Sequence, residues 1–538
     1  RSFPGSKALD WGPSAHAVFT LTAGAQEITE PALLPMEQGP YQPTWESLAQ
    51  YEVPEWFRDA KFGIWAHWGP QCEPEAGDWY ARHMYYPGHW QYEFHVKKYG
   101  DPAKFGFKDV IHEWRAEKWD PEYLIKLYKD VGARYFVTLA NHHDNFDLWD
   151  SDYQPWNSVN MGPEQNIVGR WAEMCDKYGL RFGVSVHASH TWTWMEGAQD
   201  FDGKLTAADG KGTWWEGYDP QDLYEQRHTR SVGSENVGTI HSQWEWGNGA
   251  SQPDKAYLDK FYNRTVDVIN KYDPDVVYFD DTALPFSQIS DEGLKIAAHL
   301  YNKSLRDHRN RMQAVIMGKK LTEQQKQAML WDVERGIPDR MQELPWQTCT
   351  CLGEWHYNRD LYNRNGYKSA ETVIRMLIDI VSKNGNLLLS VPLRGDGSID
   401  EKELAVLEGI KAWMDVNSES IYCTRPWRTF GEGPSADAAN PINNQGFNEG
   451  NTAYSAADIR FVQKGNTVYA TALGWPENGR IEIRSLADGS DLCPEKIRSV
   501  RLLGYGKIAF ERDAEALKVT LPADFGRSIA PVLAVTLK

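Results

Sequence analysis

The sequence predicts an α/β fold: a (β/α)8-like, TIM-type barrel over residues 51–420, followed by an antiparallel β-sandwich over 421–538. Three observations predict it. Eight short, nearly continuous apolar runs are spaced between residues 62 and 392. Helical periodicity fills most of the intervals, and strands buried on both faces between helices imply a parallel sheet. After about residue 420 the pattern changes to strict apolar/polar alternation, which belongs to half-buried antiparallel strands.

Residues 1–50 carry Pro, Gly and polar residues with weak periodicity and read as an irregular segment. The predicted strands are 62–68 (FGIWAHW), 134–140 (RYFVTLA), 181–187 (RFGVSVH), 275–281 (DVVYFDD), 313–318 (QAVIMG), 329–334 (MLWDVE), 347–352 (QTCTCL) and 386–392 (NLLLSVP). Predicted helices cover 121–132, 167–179, 256–272, 291–305, 370–385 and 401–417. The later strands lack clear helices between them, so the barrel is expected to be irregular. Residues 188–255 form a long polar, aromatic excursion, and loops of that size usually carry function or structure of their own. Segments 458–475, 479–486, 497–504, 516–522 and 530–538 supply the sandwich.

Composition narrows the function. The 538 residues carry a formal net charge of −18. That balance argues against binding nucleic acid phosphates or anionic lipid head groups and fits a neutral ligand. No apolar run approaches the ~20 residues of a membrane span. The six cysteines form no CxxC pair and no zinc spacing, and most are expected to be buried thiols. The 24 tryptophans supply flat faces suited to sugar rings as well as to a core. The chain begins with Arg rather than Met, which accords with a removed signal peptide and predicts a secreted or periplasmic protein.

In a (β/α)8 barrel the chemistry gathers at the C-terminal strand ends. Those ends present His67, Asn141-His142-His143, His187, Asp280-Asp281 and Glu334. If the second strand ran on through the paired histidines, they would face opposite ways. Metal ligation, base catalysis and hydrogen bonding to a sugar are all open to such a set. The apolar run VVYF delivers Asp280 in a fixed direction, as a nucleophile requires, and Asp281 should point away.

The blocks KFGIWAHWGP (61–70), GDWYARHMY (77–85), ANHHDNFDLWDS (140–151), DPDVVYFDD (273–281), VSKNGNLLLSVP (381–392) and SIYCTRPW (420–427) resemble glycoside hydrolase family 29, the α-L-fucosidases. The resemblance spans about 50–430 and runs on through 466–479 into the terminal sandwich. It implies that His67, His142 and His143 donate hydrogen bonds to fucose hydroxyls and that no metal or other cofactor is needed. It implies that Asp280 is the nucleophile. Asp78 and Trp79 stand where the family usually has Glu-Trp. His187 stands where many members have Tyr, and Arg335 lies near a position where the family can place a sugar-binding arginine. Trp65, Trp79 and Trp355 are candidates for the apolar wall that meets the C6 methyl of fucose.

The second carboxylate departs from the family. The usual Trp-Glu dipeptide reads Trp346-Gln347 here, and an amide cannot donate and retrieve a proton. Glu334 is the expected substitute, with Glu354 and Asp78 as alternatives. The expected function is a retaining, exo-acting α-L-fucosidase that cleaves terminal α-L-fucose from fucosylated glycans. The alternatives are an α-L-galactosidase or related exo-glycosidase, a sugar-binding protein with an impaired site, and a metal-dependent hydrolase using His142, His143 and His187.

Overall fold

Eight parallel strands close into a barrel: β1 (Phe62–Ala66), β2 (Tyr135–Leu139), β3 (Arg181–Val186), β4 (Val276–Phe279), β5 (Val315–Gly318), β6 (Leu330–Glu334), β7 (Trp346–Cys351) and β8 (Gly385–Ser390), with β8 pairing back onto β1. This computed structural model describes residues 32–442, 446–450 and 452–538, together with the backbone of Leu9–Asp10 and His16–Ala17. Of the irregular segment expected over residues 1–50, most of the part before residue 32 lies outside the described residues.

Strand alternation sorts the core into two layers. Trp65, Tyr135, Val137, Val276, Tyr278, Val315, Met317, Leu330, Cys349 and Leu388 pack together as one buried cluster. Their neighbours Phe62, Ile64, Phe136, Val277, Ile316, Leu387 and Leu389 pack in a second cluster with residues of the surrounding helices. Gly63 has a steric reason: a Cβ there would lie 2.4 Å from the Tyr135 ring.

The helices begin and end where their residues dictate. Asp120 accepts the Tyr123 N–H at the start of Pro121–Val131, Pro121 presets the first turn, and Gly132 ends the helix at φ 117°. Helices Ile167–Tyr178, Lys255–Tyr272, Glu292–Asp307, Ala370–Ser382 and Glu401–Asn417 complete the outer layer. The expected irregularity is present among the described residues. Only a single 3-10 turn, Gln325–Gln327, separates β5 from β6, and no helix separates β6 from β7. The excursion after β3 contains several short helices, among them Thr191–Trp194, Pro220–Tyr224 and Ile240–Gln243.

Beyond the barrel, β9 (Arg425–Glu432), β10 (Ile459–Lys464), β11 (Thr467–Ala472), β12 (Arg480–Ile483), β13 (Ile497–Leu502), β14 (Gly506–Ile508), β15 (Glu511–Arg512), β16 (Leu517–Thr520) and β17 (Val532–Leu537) are all antiparallel. They form a six-stranded sheet, β9-β10-β11-β17-β13-β14, and a three-stranded sheet, β12-β16-β15. Their facing side chains enclose a separate core that includes Trp427, Phe461, Ile483, Leu517 and Val535. Buried Arg460 of β10 pairs with Asp379 of the barrel helix Ala370–Ser382, which Lys383 also reaches at 2.9 Å. All six cysteines are free, and only Cys423 is exposed. Among the described residues no helix is long and apolar enough to cross a membrane.

Candidate active site

The C-terminal strand ends deliver the polar groups to one cavity of about 260 Å3. That lies near the small end of ligand pockets, ~300–1,000 Å3. Trp65, His67, Asp78, Trp79, His142, His187, Asp280, Glu334 and Trp355 all line it.

Three adjacent strands build its charged floor. Asp280 follows the last residue of β4, Lys319 follows the last residue of β5, and Glu334 ends β6. Lys319 Nζ donates to Asp280 Oδ1 and to Glu334 Oε2, each at 2.7 Å. Two contacts sharing one nitrogen cap the separation of those oxygens at twice that length. Burial alone would raise the Asp280 pKa. The Lys319 charge and the bonds from His143 and His187 override it and hold the carboxyl well below its usual range. Burial opposes the Lys319 charge too, yet Asp280 and Glu334 keep its ammonium well above the ordinary value.

The histidines are fixed from behind. Asn141 Oδ1 accepts the backbone N–H groups of His187 and Ala188, tying the end of β2 to that of β3. His143 Nδ1 donates to the His187 carbonyl at 2.6 Å, and its Nε2 lies 3.1 Å from Asp280 Oδ2. His187 Nδ1 lies 3.2 Å from the same oxygen. His142 Nδ1 meets the Gln71 amide at 2.8 Å. His142 and His143 do not face opposite ways, because β2 stops at Leu139 and the chain bends before it reaches them. Burial pushes His67 and His142 well below the ordinary imidazole value, lowers His143, and brings His187 down to about 4. A neutral imidazole offers one donor and one acceptor, so His143, which faces acceptors at both ring nitrogens, donates to both only as the imidazolium. Trp65 Nε1, His67 Nδ1, His187 Nε2 and His356 Nε2 are buried without a hydrogen-bond partner in the protein. A polyhydroxylated ligand would satisfy such groups.

His67, His142 and His187 also bring one ring nitrogen each within 4.8 Å of one another, as do His143, His187 and Asp280 with one ligand atom each. Among the described residues these are the groups able to hold a metal ion, although His143 Nε2, His187 Nδ1 and His142 Nδ1 already face protein partners.

Other expectations fare differently. Asp78 lines the cavity and accepts the backbone N–H groups of Trp355 and His356, at 3.2 and 2.7 Å. Asp281 points away, bonded to Ser189 and His190. Arg335 turns to Glu449 at 3.3 Å and does not line the cavity. Glu354 is engaged with Asn358 and the Asp78 N–H, also off the cavity wall. Gln347 is the second residue of β7, deep inside the barrel, where it bonds Tyr135 and Asp332 at 2.8 Å each. Burial raises the Asp332 pKa to about 6.

Several lining residues escaped the sequence reading: Lys319, His356, Tyr278, Trp244, His241, Lys320 and Phe447. Lys319 stands directly after a predicted strand and could have been found by the strand-end rule. Phe447 comes from a polar stretch beyond the barrel and gave no signal.

Comparison with known proteins identifies the family. The Alpha-L-fucosidase family model matches residues 31–419, and the Alpha-L-fucosidase C-terminal domain model matches 453–538. Tissue alpha-L-fucosidase of Homo sapiens is 25% identical over 491 residues, covering 90% of this chain and 88% of that protein. Alpha-L-fucosidase of Branchiostoma floridae is 26% identical over 462 residues, covering 82% and 84%. The crystal structure of Thermotoga maritima alpha-fucosidase in complex with a mechanism based inhibitor superposes with a TM-score of 0.68 at 25% identity, over 92% of this chain and 100% of that one. With a closed barrel, a rim of buried histidines around a carboxylate pair, and family matches over both regions, the chain belongs to the α-L-fucosidase family of glycoside hydrolases.

Proposed function

We propose that the protein is a retaining, exo-acting α-L-fucosidase with Asp280 as nucleophile and Glu334 as acid/base. The observation that carries this reading is the carboxylate pair on one lysine at the floor of a cavity sized for one sugar ring. Retaining enzymes keep their carboxyl groups ~5–5.5 Å apart, and inverting enzymes ~6.5–9.5 Å. The shared contact with Lys319 supports the shorter class.

In the first step the Asp280 carboxylate attacks the anomeric carbon. The bond to the leaving oxygen breaks, and that oxygen takes the Glu334 proton. In the second step the Glu334 carboxylate removes a proton from water as the water oxygen attacks the same carbon. The ester bond to Asp280 breaks, and fucose leaves with its original configuration. His67, His142, His187 and Trp79 position the hydroxyls. Trp65 and Trp355, with ring centroids 5.5 Å apart, supply an apolar wall for the 6-deoxy carbon. The reading extends to a fucosylated glycan substrate and to a secreted or periplasmic location.

Proton NMR of early hydrolysis of an aryl α-L-fucoside tests the reading. Free α-L-fucose is expected first, with the β anomer appearing only through mutarotation, and the rate is expected to be unchanged by EDTA. First-formed β-fucose would exclude retention. Loss of turnover with chelator would instead favour a metal held by His67, His142 and His187. An α-L-galactoside belongs in the same assay, because an apolar pocket rejects an added hydroxyl only weakly.

Lys319 gives the two steps a common charge count. With Asp280 ionised and Glu334 protonated, the trio of Asp280, Lys319 and Glu334 is neutral. After Asp280 is esterified, the trio is again neutral only when Glu334 is ionised, which is the base form that the second step needs. Lys319 also faces Asp332, Cys349 and the Tyr278 ring, and His67 and His187 feel its charge. Removing the ammonium makes Asp280 harder to ionise. The acid limb of kcat/KM is therefore expected to move up in Lys319→Met, by about 1–3 pH units, the usual effect of an opposite charge at such range. An unmoved acid limb would show that Lys319 is only a packing residue.

A further inference from the structure

The cavity mouth carries a second set of aromatic groups that the fucose site does not use. Phe447 is 50% exposed and lines the cavity, although it belongs to the segment beyond the barrel. An exposed Phe is unremarkable by itself. This one is held in place. Its backbone N–H donates to the Glu334 carbonyl at 2.9 Å, and the Glu449 N–H donates to the Arg335 carbonyl at 3.1 Å. Asn448 Oδ1 accepts the Ile337 N–H at 2.8 Å while its Nδ2 donates to the Ile337 carbonyl at 2.9 Å. The Glu449 carboxylate is gripped by Lys368 at 2.7 Å.

The docking is sterically specific. A Cβ at Gly446, where φ is 135°, would lie 2.1 Å from the Glu334 carbonyl oxygen, and a Cβ at Gly336 would lie 3.0 Å from the Phe447 nitrogen. Phe447 itself sits at φ 58°, a left-handed conformation that a bulky residue adopts only when its surroundings enforce it. The strap thus fixes an exposed aromatic ring beside the residue that protonates the leaving group.

More aromatic rings line the same cavity from the excursion after β3. Trp244 and His241 do so, and each stacks on Trp79, at 6.2 and 5.3 Å between ring centroids. An acid must stand on the leaving-group side of the scissile bond, so a ring anchored to the Glu334 backbone lies on that side as well.

We propose that Phe447, together with Trp244 and His241, forms a leaving-group subsite that stacks on the apolar face of a neutral pyranose, the first sugar beyond the scissile bond. It deepens the fucosidase reading and rests on Glu334 being the acid. The subsite makes the enzyme selective for fucose attached to a sugar over fucose attached to a leaving group without a ring.

The experiment compares kcat/KM on α-L-fucosyl fluoride, whose leaving group has no ring, with that on a disaccharide of fucose α-linked to a neutral hexose. Phe447→Ala is expected to lose about five- to tenfold on the disaccharide, the scale of one aromatic contact, and less than twofold on the fluoride. Phe447→Trp is expected to keep the disaccharide rate. A thermal midpoint equal to wild type for each variant excludes misfolding. Equal losses on both substrates would mean that the strap acts by placing Glu334, and the subsite would be overturned. An unchanged disaccharide rate in Phe447→Ala overturns it equally, as does a wild type that cleaves the fluoride and no disaccharide. Failure of the wild type on both substrates would remove the fucosidase reading first and the subsite with it.

Discussion

Asp280→Asn is expected to lower kcat on every fucoside by roughly 10^4-fold or more, the range that loss of a covalent nucleophile costs. The amide is nearly isosteric with the carboxylate, so the barrel should fold unchanged. What it cannot do is form the ester to the anomeric carbon. That loss falls on the transition state, so KM should change little while kcat collapses. Fucose itself should still bind, because His67, His142 and His187 remain. Calorimetric titration of fucose checks the binding, and stopped assays check turnover. A variant that kept more than a tenth of wild-type activity would sink Asp280 as nucleophile.

The barrel was legible because its signals are local. Eight apolar runs bounded by polar residues are the direct consequence of strands buried on both faces, and each expected strand overlaps an observed one. The site was legible as far as the strand ends carry it. His67, His187, Asp280 and Glu334 each stand at or just beyond the last strand residue, so placing the strand places the side chain.

Residues that depend on a distant segment were not legible. Arg335 follows Glu334 and looked like a sugar ligand. Its guanidinium turns instead to Glu449, which arrives from far along the chain and whose docking no sequence pattern announces. Gln347 looked like a lost acid. Its position near the start of β7 puts it inside the barrel among Tyr135, Met317 and Asp332, a polar stack beneath the cavity. Lys319 stands just beyond a strand end, but its surroundings do not show in the sequence: it is 3% exposed and bonds two carboxylates. The pairing of His142 with His143 was legible as a motif but not as a geometry. The bend after Leu139 decides which way each ring points.

Glu334→Ala separates the two steps of the reaction. Without the acid, hydrolysis of natural glycosides is expected to fall by about 10^2–10^4-fold, the usual contribution of general acid–base catalysis. Aryl fucosides with good leaving groups need little protonation, so their first step should suffer far less. The second step still needs a base to deprotonate water. The fucosyl ester on Asp280 should therefore accumulate, visible as a burst of released phenol followed by slow turnover and as a mass increment on the intact protein. Azide needs no deprotonation and is small enough to enter the space left by the glutamate side chain. It should restore turnover of the aryl substrate and yield α-L-fucosyl azide, because attack on the Asp280 ester inverts a second time. Glu354→Ala and Asp78→Ala are the controls. Glu354 is turned toward Asn358, and the Asp78 carboxylate accepts the Trp355 and His356 N–H groups, so neither variant should respond to azide. Azide rescue in either of them, with none in Glu334→Ala, would move the acid/base off β6.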